Sequence, residues 1–231
     1  MIQTIGHRGA AALEPENTLC AIRKAIELGM DYVEFDIHRC KSGEIVLIHD
    51  DTVERITKGS GRVSEMTVQQ LRKLDAGKGE RIPTLQEAID TCKGKIKMII
   101  ELKDRGLEKE VIDVLIKNGI PEAIIISFFH EFVKKAKEEA AGKKIKIKTG
   151  VILAGNPINV VEMARLANAD YVTANHFYMD KEMAKKVKEA GLGLNVWTCN
   201  TEYDIKKAIA WGADMIASDN PELLDKVLGR K

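Results

Sequence analysis

A parallel α/β barrel is the fold class this sequence predicts, on three observations. Short β-branched runs alternate with amphipathic helical patterns, about eight such runs can be placed, and the helices between them stop on glycines. The strand candidates are residues 3–6, 32–37, 96–102, 123–127, 147–153, 171–174, 194–197 and 215–217, each an apolar stretch of the kind a sheet buried on both faces requires. The first helix, 18–28, follows the turn Pro15-Glu16-Asn17, and further helices fit at 85–91, 107–117, 130–141, 157–168, 181–190, 202–210 and 221–228. Gly29, Gly119, Gly191 and Gly212 stand at helix stops, where a residue free to take positive φ lets the last carbonyls be satisfied.

Late strands recur at roughly 20 to 27 residues, one βα unit each, but the gap between the second and third strands is more than twice that. The excess starts as a hairpin, 45–48 after the turn Lys41-Ser42-Gly43, and runs through Thr57-Lys58-Gly59-Ser60-Gly61-Arg62 to Arg81. The expectation is therefore one TIM (β/α)8 barrel domain over 1–231, with 51–81 as a small inserted subdomain between the second and third βα units. An open doubly wound sheet is the rival, and no Gly-x-Gly-x-x-Gly follows the first strand to support it.

Bulk properties exclude several partners. A formal net charge of +1 lacks the excess of Lys and Arg that nucleic-acid phosphates select. No apolar run reaches the roughly 20 residues of a membrane span, and the first residues carry no basic region followed by an apolar stretch, so a cytoplasmic protein with no stable membrane association is expected. Cys20, Cys40, Cys92 and Cys199 are dispersed, without a Cys-x-x-Cys pair, and read as reduced thiols.

In a barrel, the C-terminal ends of the strands face the active site, and this rule selects a consistent set. His7 and Arg8 end the first strand, Glu34 and Asp36 lie on the second, His49 and Asp50 follow the hairpin, and Glu101 and Lys103 end the third. Strand alternation puts Glu34 with Asp36 on one side, and Glu101 with Lys103 on one side. Three buried carboxylates this close repel one another unless one is protonated or a cation is shared, and oxygen-only ligation suits Mg²⁺, Ca²⁺ or Mn²⁺. Acid/base groups, a guanidinium and a hard-cation ligand set within so short a span point to metal-assisted cleavage of a phosphate ester.

Bland readings stand beside these. Glu34-x-Asp36 could be a solvated strand face, although Tyr32, Val33 and Phe35 argue against a wet surface; Glu101 and Lys103 could simply pair; Trp197 could fill the core rather than wall a pocket. Glu16 and Asn17 either line the site or set the turn before the first helix. His38, His130 and His176 lack carboxylate company at strand ends and read as structural or surface groups.

The wider pattern resembles the glycerophosphodiester phosphodiesterases. The matching residues are His7-Arg8-Gly9, Pro15-Glu16-Asn17-Thr18, Glu34-x-Asp36, His49-Asp50, Arg55, Leu74-Asp75-Ala76-Gly77, Ile82-Pro83-Thr84-Leu85, Ile100-Glu101-Leu102-Lys103, Ser127-Phe128 and Val196-Trp197-Thr198, spread in family order over nearly the whole chain. The resemblance implies a TIM barrel with a small insertion that hydrolyses glycerophosphodiesters to sn-glycerol 3-phosphate and an alcohol. It implies Glu34, Asp36 and Glu101 as ligands of one divalent cation, His7 and His49 as the acid/base pair, and Arg8 and Lys103 as phosphate contacts. Ser42, Ile56 and the run Ser218-Asp219-Asn220-Pro221 depart from the family's usual residues, at positions that bear on specificity or local capping.

Two other classes remain on the sequence alone. A phospholipase-like relative acting on lipid diesters would display an exposed aromatic rim, for which 5% aromatic residues offer little material. A non-catalytic phosphometabolite-binding barrel would need no acid/base pair. Within the preferred reading His7 is the expected base, His49 the expected acid, and the insertion is expected to cover the mouth and contact the alcohol.

Overall fold

The computed structural model describes residues 2–119 and 122–230. Apolar runs at the predicted places become strands because each can be covered on both faces, by the barrel interior and by a helix. In chain order they are β1 (Gln3–Gly6), β2 (Tyr32–Arg39), β3 (Ile45–Leu47), β4 (Lys97–Leu102), β5 (Ala123–Ser127), β6 (Lys148–Leu153), β7 (Tyr171–Asn175), β8 (Gly193–Trp197) and β9 (Met215–Ser218). The helices are α1 (Leu19–Glu27), α2 (Val68–Leu71), α3 (Leu85–Cys92), α4 (Glu108–Lys117), α5 (His130–Gly142), α6 (Val160–Leu166), α7 (Lys181–Glu189), α8 (Glu202–Ala210) and α9 (Pro221–Leu228).

All strands except β3 run parallel in the order β1-β9-β8-β7-β6-β5-β4-β2, and pairing of Ile5 with Tyr32 closes β1 on β2. The fold is thus the closed eight-stranded barrel that the strand count anticipates. β3 lies outside the ring, antiparallel to β2 with Ile37 opposite Leu47. Ile5, Ile99, Ile124, Ile126, Ile152, Met215 and Ala217 pack inside the ring. Two larger apolar clusters fill the space between ring and helices, one around Phe35, Ile100 and Leu115, the other around Val172, Val196 and Ile205.

Helix starts follow local chemistry. Thr18, Thr84, Asp180, Thr201 and Asn220 each accept a first-turn backbone N–H, and Thr84 with Glu87 forms a reciprocal capping box. The expected helix 157–168 is shorter in the structure, Val160–Leu166, because Asn159 makes no side-chain cap bond and the residues from Pro157 stay unwound. Between β3 and α3, a 3₁₀ turn (Val63–Glu65) and α2 pack with Val53, Val63, Leu71, Ala76 and Ile82 into a separate apolar cluster that also takes Cys40, Val46 and Ile48. Among the described residues, no helix is long and apolar enough to cross a membrane.

At the N-terminal end of the ring, Asp31, Asp170 and Asp214 precede β2, β7 and β9. Each carboxylate accepts the backbone N–H of a neighbouring strand, from Thr4, Thr149 and Leu194 at 2.8, 2.7 and 2.7 Å. These bonds satisfy strand-start donors that would otherwise be left to solvent. The cleft of about 760 Å³ at this end is lined by those aspartates, already engaged, together with Lys148 and Tyr171.

Candidate active site

The opposite, C-terminal end of the ring carries a smaller cavity of about 70 Å³, whose lining includes His7, Arg8, Glu34, His49, Glu101, Phe128 and Trp197. The local sequence explains how the first of these arrive. Arg8 has φ 50° and Gly9 φ 91°, which turns the chain sharply off β1. A side chain at Gly9 would put a Cβ 2.5 Å from the Ala21 Cβ, so α1 can lie against this turn only because residue 9 is glycine. The turn leaves the Arg8 backbone N–H donating to Glu34 Oε2 at 2.9 Å.

Register brings the carboxylates together. Asp36 sits opposite Glu101 across the β2–β4 pair. Glu34, Asp36 and Glu101 each present a carboxylate oxygen within 4.8 Å of the others, all three residues buried. Asp36 is held from both sides: Asn17 Nδ2 donates to Oδ2 at 2.9 Å while the Asp36 N–H donates to Asn17 Oδ1 at 3.1 Å. Asn17 is therefore a buried support of the acidic cluster. Lys103 Nζ lies 3.0 Å from Asp36 Oδ1 and 2.6 Å from Glu101 Oε1, and Arg8 Nε lies 3.4 Å from Asp36 Oδ2. Both the convergence and the Glu101–Lys103 pairing that the sequence left as alternatives are present at once.

Electrostatics divide the three carboxyls. Burial raises the Asp36 pKa, but Lys103 and Arg8 outweigh it and hold the group well below the usual carboxylate range. Glu34 is pushed up to about 7 by burial and then by Asp36. Glu101 is pushed up to about 9 by the same two causes in the same order. Lys103 Nζ, 2.6 Å from Glu101 Oε1, opposes this rise without cancelling it. Three converging hard oxygen donors, two of them reluctant to ionise, fit a divalent cation, which would restore the charged form of all three.

The two histidines flank this cluster, each tied by Nδ1 to its own carboxylate. His7 Nδ1 is 2.6 Å from Asp219 Oδ1, with Nε2 3.9 Å from Glu34 Oε2. His49 Nδ1 is 2.6 Å from Asp50 Oδ1. Burial is the largest influence on both rings and disfavours the cation. At His7 the Asp219 bond and Glu34 override it and the pKa is raised, whereas at His49 it is lowered despite Asp36.

Each dyad has a brace. Asn200 Nδ2 donates to Asp219 Oδ2 at 2.6 Å, and the Asp219 N–H donates to Asn200 Oδ1. Arg55, from the insertion, donates to Asp50 Oδ2 at 2.5 Å and makes a bidentate pair with Glu16 at 2.8 and 2.7 Å. Glu16 also accepts from Arg8 Nη1 at 3.0 Å, so it holds a residue of the cavity wall and does more than set a turn.

Asp219 and Asn200 escaped the sequence reading, which saw only a capping variant at 218–221. Asp219 directly follows β9, so the strand-end rule that selected His7 would also have selected it. The remaining histidines have structural company: His38 bonds Asp104 at 2.9 Å and the His49 carbonyl at 3.2 Å, His130 the Ile152 carbonyl at 3.1 Å, and His176 lies 3.2 Å from Asp204.

The far wall differs in character. Trp197 ends β8, donates Nε1–H to the Thr173 carbonyl at 3.1 Å, and meets Phe128 edge-to-face at 5.8 Å. It walls the cavity while packing against the interior cluster of the ring. Beyond it Phe128, Phe129, Ile158, Phe177 and Tyr178, from the connections after β5, β6 and β7, stand exposed, Ile158 at 95% and Phe177 at 76%. The expectation of too little aromatic material for a rim does not hold: the few aromatics are concentrated where a rim would be.

Comparison with known proteins gives a consistent picture. Residues 7–223 match the model of the Glycerophosphoryl diester phosphodiesterase family. A protein of Caldanaerobacter subterraneus subsp. tengcongensis named glycerophosphodiester phosphodiesterase is 33% identical over 233 residues, covering 95% of each chain. Among solved structures, an Oleispira antarctica phosphodiesterase in complex with the product sn-glycerol-3-phosphate superposes with a TM-score of 0.89 at 28% identity, covering 98% of this chain and 96% of that one. A glycerophosphodiester phosphodiesterase from Thermotoga maritima superposes with a TM-score of 0.84 at 26% identity, covering 98% of both.

Proposed function

The chain belongs to the glycerophosphoryl diester phosphodiesterase family, and from this premise we propose that His7 and His49 cleave a glycerophosphodiester to sn-glycerol 3-phosphate and an alcohol beside one divalent cation. It is an enzyme of the glycerophosphodiester phosphodiesterase type. The observation that carries the assignment of roles is the pair of His–carboxylate dyads on either side of one buried acidic cluster.

Glu34, Asp36 and Glu101 are the ligands, for Mg²⁺ or Ca²⁺ with Mn²⁺ also suited, and the cation's contribution is Lewis-acid stabilisation of the charge that develops on the phosphoryl oxygens. Asp219 fixes His7 by Nδ1, which leaves Nε2 on the cavity side to take a proton from the attacking oxygen. Asp219 and Glu34 together favour the protonated ring against burial, and a cation held by Glu34 would offset that carboxylate's share and move His7 toward the neutral form a base requires. Asp50 fixes His49 in the same sense, so its free nitrogen can protonate the departing alkoxide. Arg8 and Lys103 bind the diester's negative charge, in competition with the carboxylates they now pair with. The insertion is a working part of this machinery through Arg55, which fastens Asp50 to Glu16.

Release of sn-glycerol 3-phosphate from glycerophosphocholine, by protein stripped with chelator and then given Mg²⁺, Ca²⁺ or Mn²⁺ in turn, tests the reading. Activity is expected only after metal is restored, and full turnover in the stripped protein would overturn the cation assignment.

A second substrate class is favoured by one observation, the exposed apolar residues that continue from Phe128 and Trp197 onto the rim. Lipid diesters with a single acyl chain would use the same catalytic groups. Comparing kcat/KM for lysophosphatidylcholine and glycerophosphocholine decides between the two, and an unmeasurable rate on the lipid removes the second reading.

A further inference from the structure

We propose that Thr173 and Asn195 form a hydroxyl-recognition subsite on the floor of the catalytic pocket, which takes the terminal hydroxyl of the substrate's glycerol moiety. The inference rests on the family reading above and extends it to the side of the barrel that carries no charge.

Thr173 on β7 and Asn195 on β8 are register partners, both line the pocket, and they are only 3% and 4% exposed. Thr173 Oγ1 and Asn195 Oδ1 are buried with no hydrogen-bond partner, not even each other. Around them the pocket wall is Ile5, Ile126, Ile152 and Ala217. A buried polar group left unpaired is costly, so two such groups side by side in an apolar layer call for a ligand that restores their bonds.

The space for one is the pocket itself, of about 70 Å³, which both residues line. Next to it on β6, Gly150 is closely packed: a Cβ there would stand 3.2 Å from Thr173 Oγ1, Ile126 Cγ2 and Tyr171 Cβ, so any side chain at 150 would press on the Thr173 hydroxyl. Position fits as well: in the ring order β7 is four strands from β2 in either direction, and β8 is four from β4, so the pair faces the carboxylates across the barrel. A phosphate held on the charged side would direct the rest of its glycerol toward this floor.

The chemistry selects a neutral group that both donates and accepts. Thr hydroxyl and Asn amide each offer a donor and an acceptor whichever way the amide is turned, and neither could compensate a charge there. An alcohol hydroxyl matches that set.

The test measures competitive inhibition by sn-glycerol 3-phosphate and by propane-1,2-diol 1-phosphate, which lacks the terminal hydroxyl. Wild type is expected to favour glycerol 3-phosphate about tenfold or more. Thr173→Val and Asn195→Leu should bring the ratio to about one, with KM for glycerophosphocholine raised more than kcat is lowered and with an unchanged or higher Tm. Thr173→Ser, which keeps the hydroxyl, should retain the preference, and Gly150→Ala, which crowds Thr173 Oγ1, should weaken it. A wild-type ratio near one, or a preference that survives both apolar variants, overturns the subsite. Wild type that releases no glycerol 3-phosphate from any glycerophosphodiester overturns the reading of function instead, so the two failures are distinguishable.

Discussion

The two halves of the barrel mouth are built on opposite principles. Around β1, β2 and β4 the cavity is dominated, Ile5 apart, by ionisable groups held in pairs: His7 with Asp219, His49 with Asp50, Arg8 with Glu16, Lys103 with Asp36 and Glu101. Around β5 to β8 the wall is Ile126, Ile152, Phe128 and Trp197, and its polar atoms at Thr173 and Asn195 are neutral and unpaired. A densely bonded charged wall holds its groups in fixed geometry, as transition-state stabilisation requires. A neutral wall with open bonding capacity is suited to choosing what is held there. On the roles proposed above, chemistry and selection are separated across the ring, and substitutions on the two sides should fail differently.

The largest effect is expected from the acidic cluster. Glu34→Ala, Asp36→Ala or Glu101→Ala should each cut metal-dependent turnover by about 10³-fold or more while the circular dichroism spectrum keeps its barrel form. Normal rates in any one variant would break the charged half's role. Next come the histidines. His7→Ala and His49→Ala should lower kcat by about 10² to 10⁴ with little change in KM. A 4-nitrophenyl leaving group should rescue the His49 variant and not the His7 variant, and equal rescue of both would contradict the acid and base roles.

A smaller loss is expected one step back from the chemistry. Arg55→Ala releases both Asp50 and Glu16, and kcat should fall about tenfold, as for other residues that orient a working group from behind. An unchanged kcat would reduce the insertion to a stabilising cap.

The smallest effect is at the far end of the barrel and should touch stability alone. Burial raises the Asp31 pKa, but its bonds to Arg230 and Thr4 outweigh this and lower it. A carboxylate with a depressed folded pKa stabilises above the unfolded value of about 4, and that contribution disappears as pH falls through the folded pKa. Asp31→Asn should therefore lower Tm at pH 7, converge with wild type in a thermal melt only as pH falls below the depressed folded pKa, and leave kcat unchanged. A kcat loss would show that the two ends of the barrel are coupled.

Much of the charged half was legible in the chain. Strand period two fixes which of Glu34, Phe35 and Asp36 share a side, and strand-end position marks His7, Glu101 and Lys103, because both properties are local to a few consecutive residues. Barrel closure was legible from the alternation of elements and their spacing. The partners of these groups were not. His7 meets Asp219 across 212 positions of sequence, and only the pairing of β1 with β9 brings them together. Arg55 was recognisable as a match to a family pattern, yet its grip on Glu16 and Asp50 depends on how the insertion folds back over the mouth.

The neutral half was decided almost wholly by tertiary structure. Thr173, Asn195 and Gly150 sit in ordinary apolar strands, and composition argued against an aromatic rim. Periodicity tells which side of its own strand a residue takes, but the register between strands decides which residues become neighbours inside the ring. That register is set by ring closure and packing over the whole chain, so a pocket floor assembled from three strands has no local signature to read.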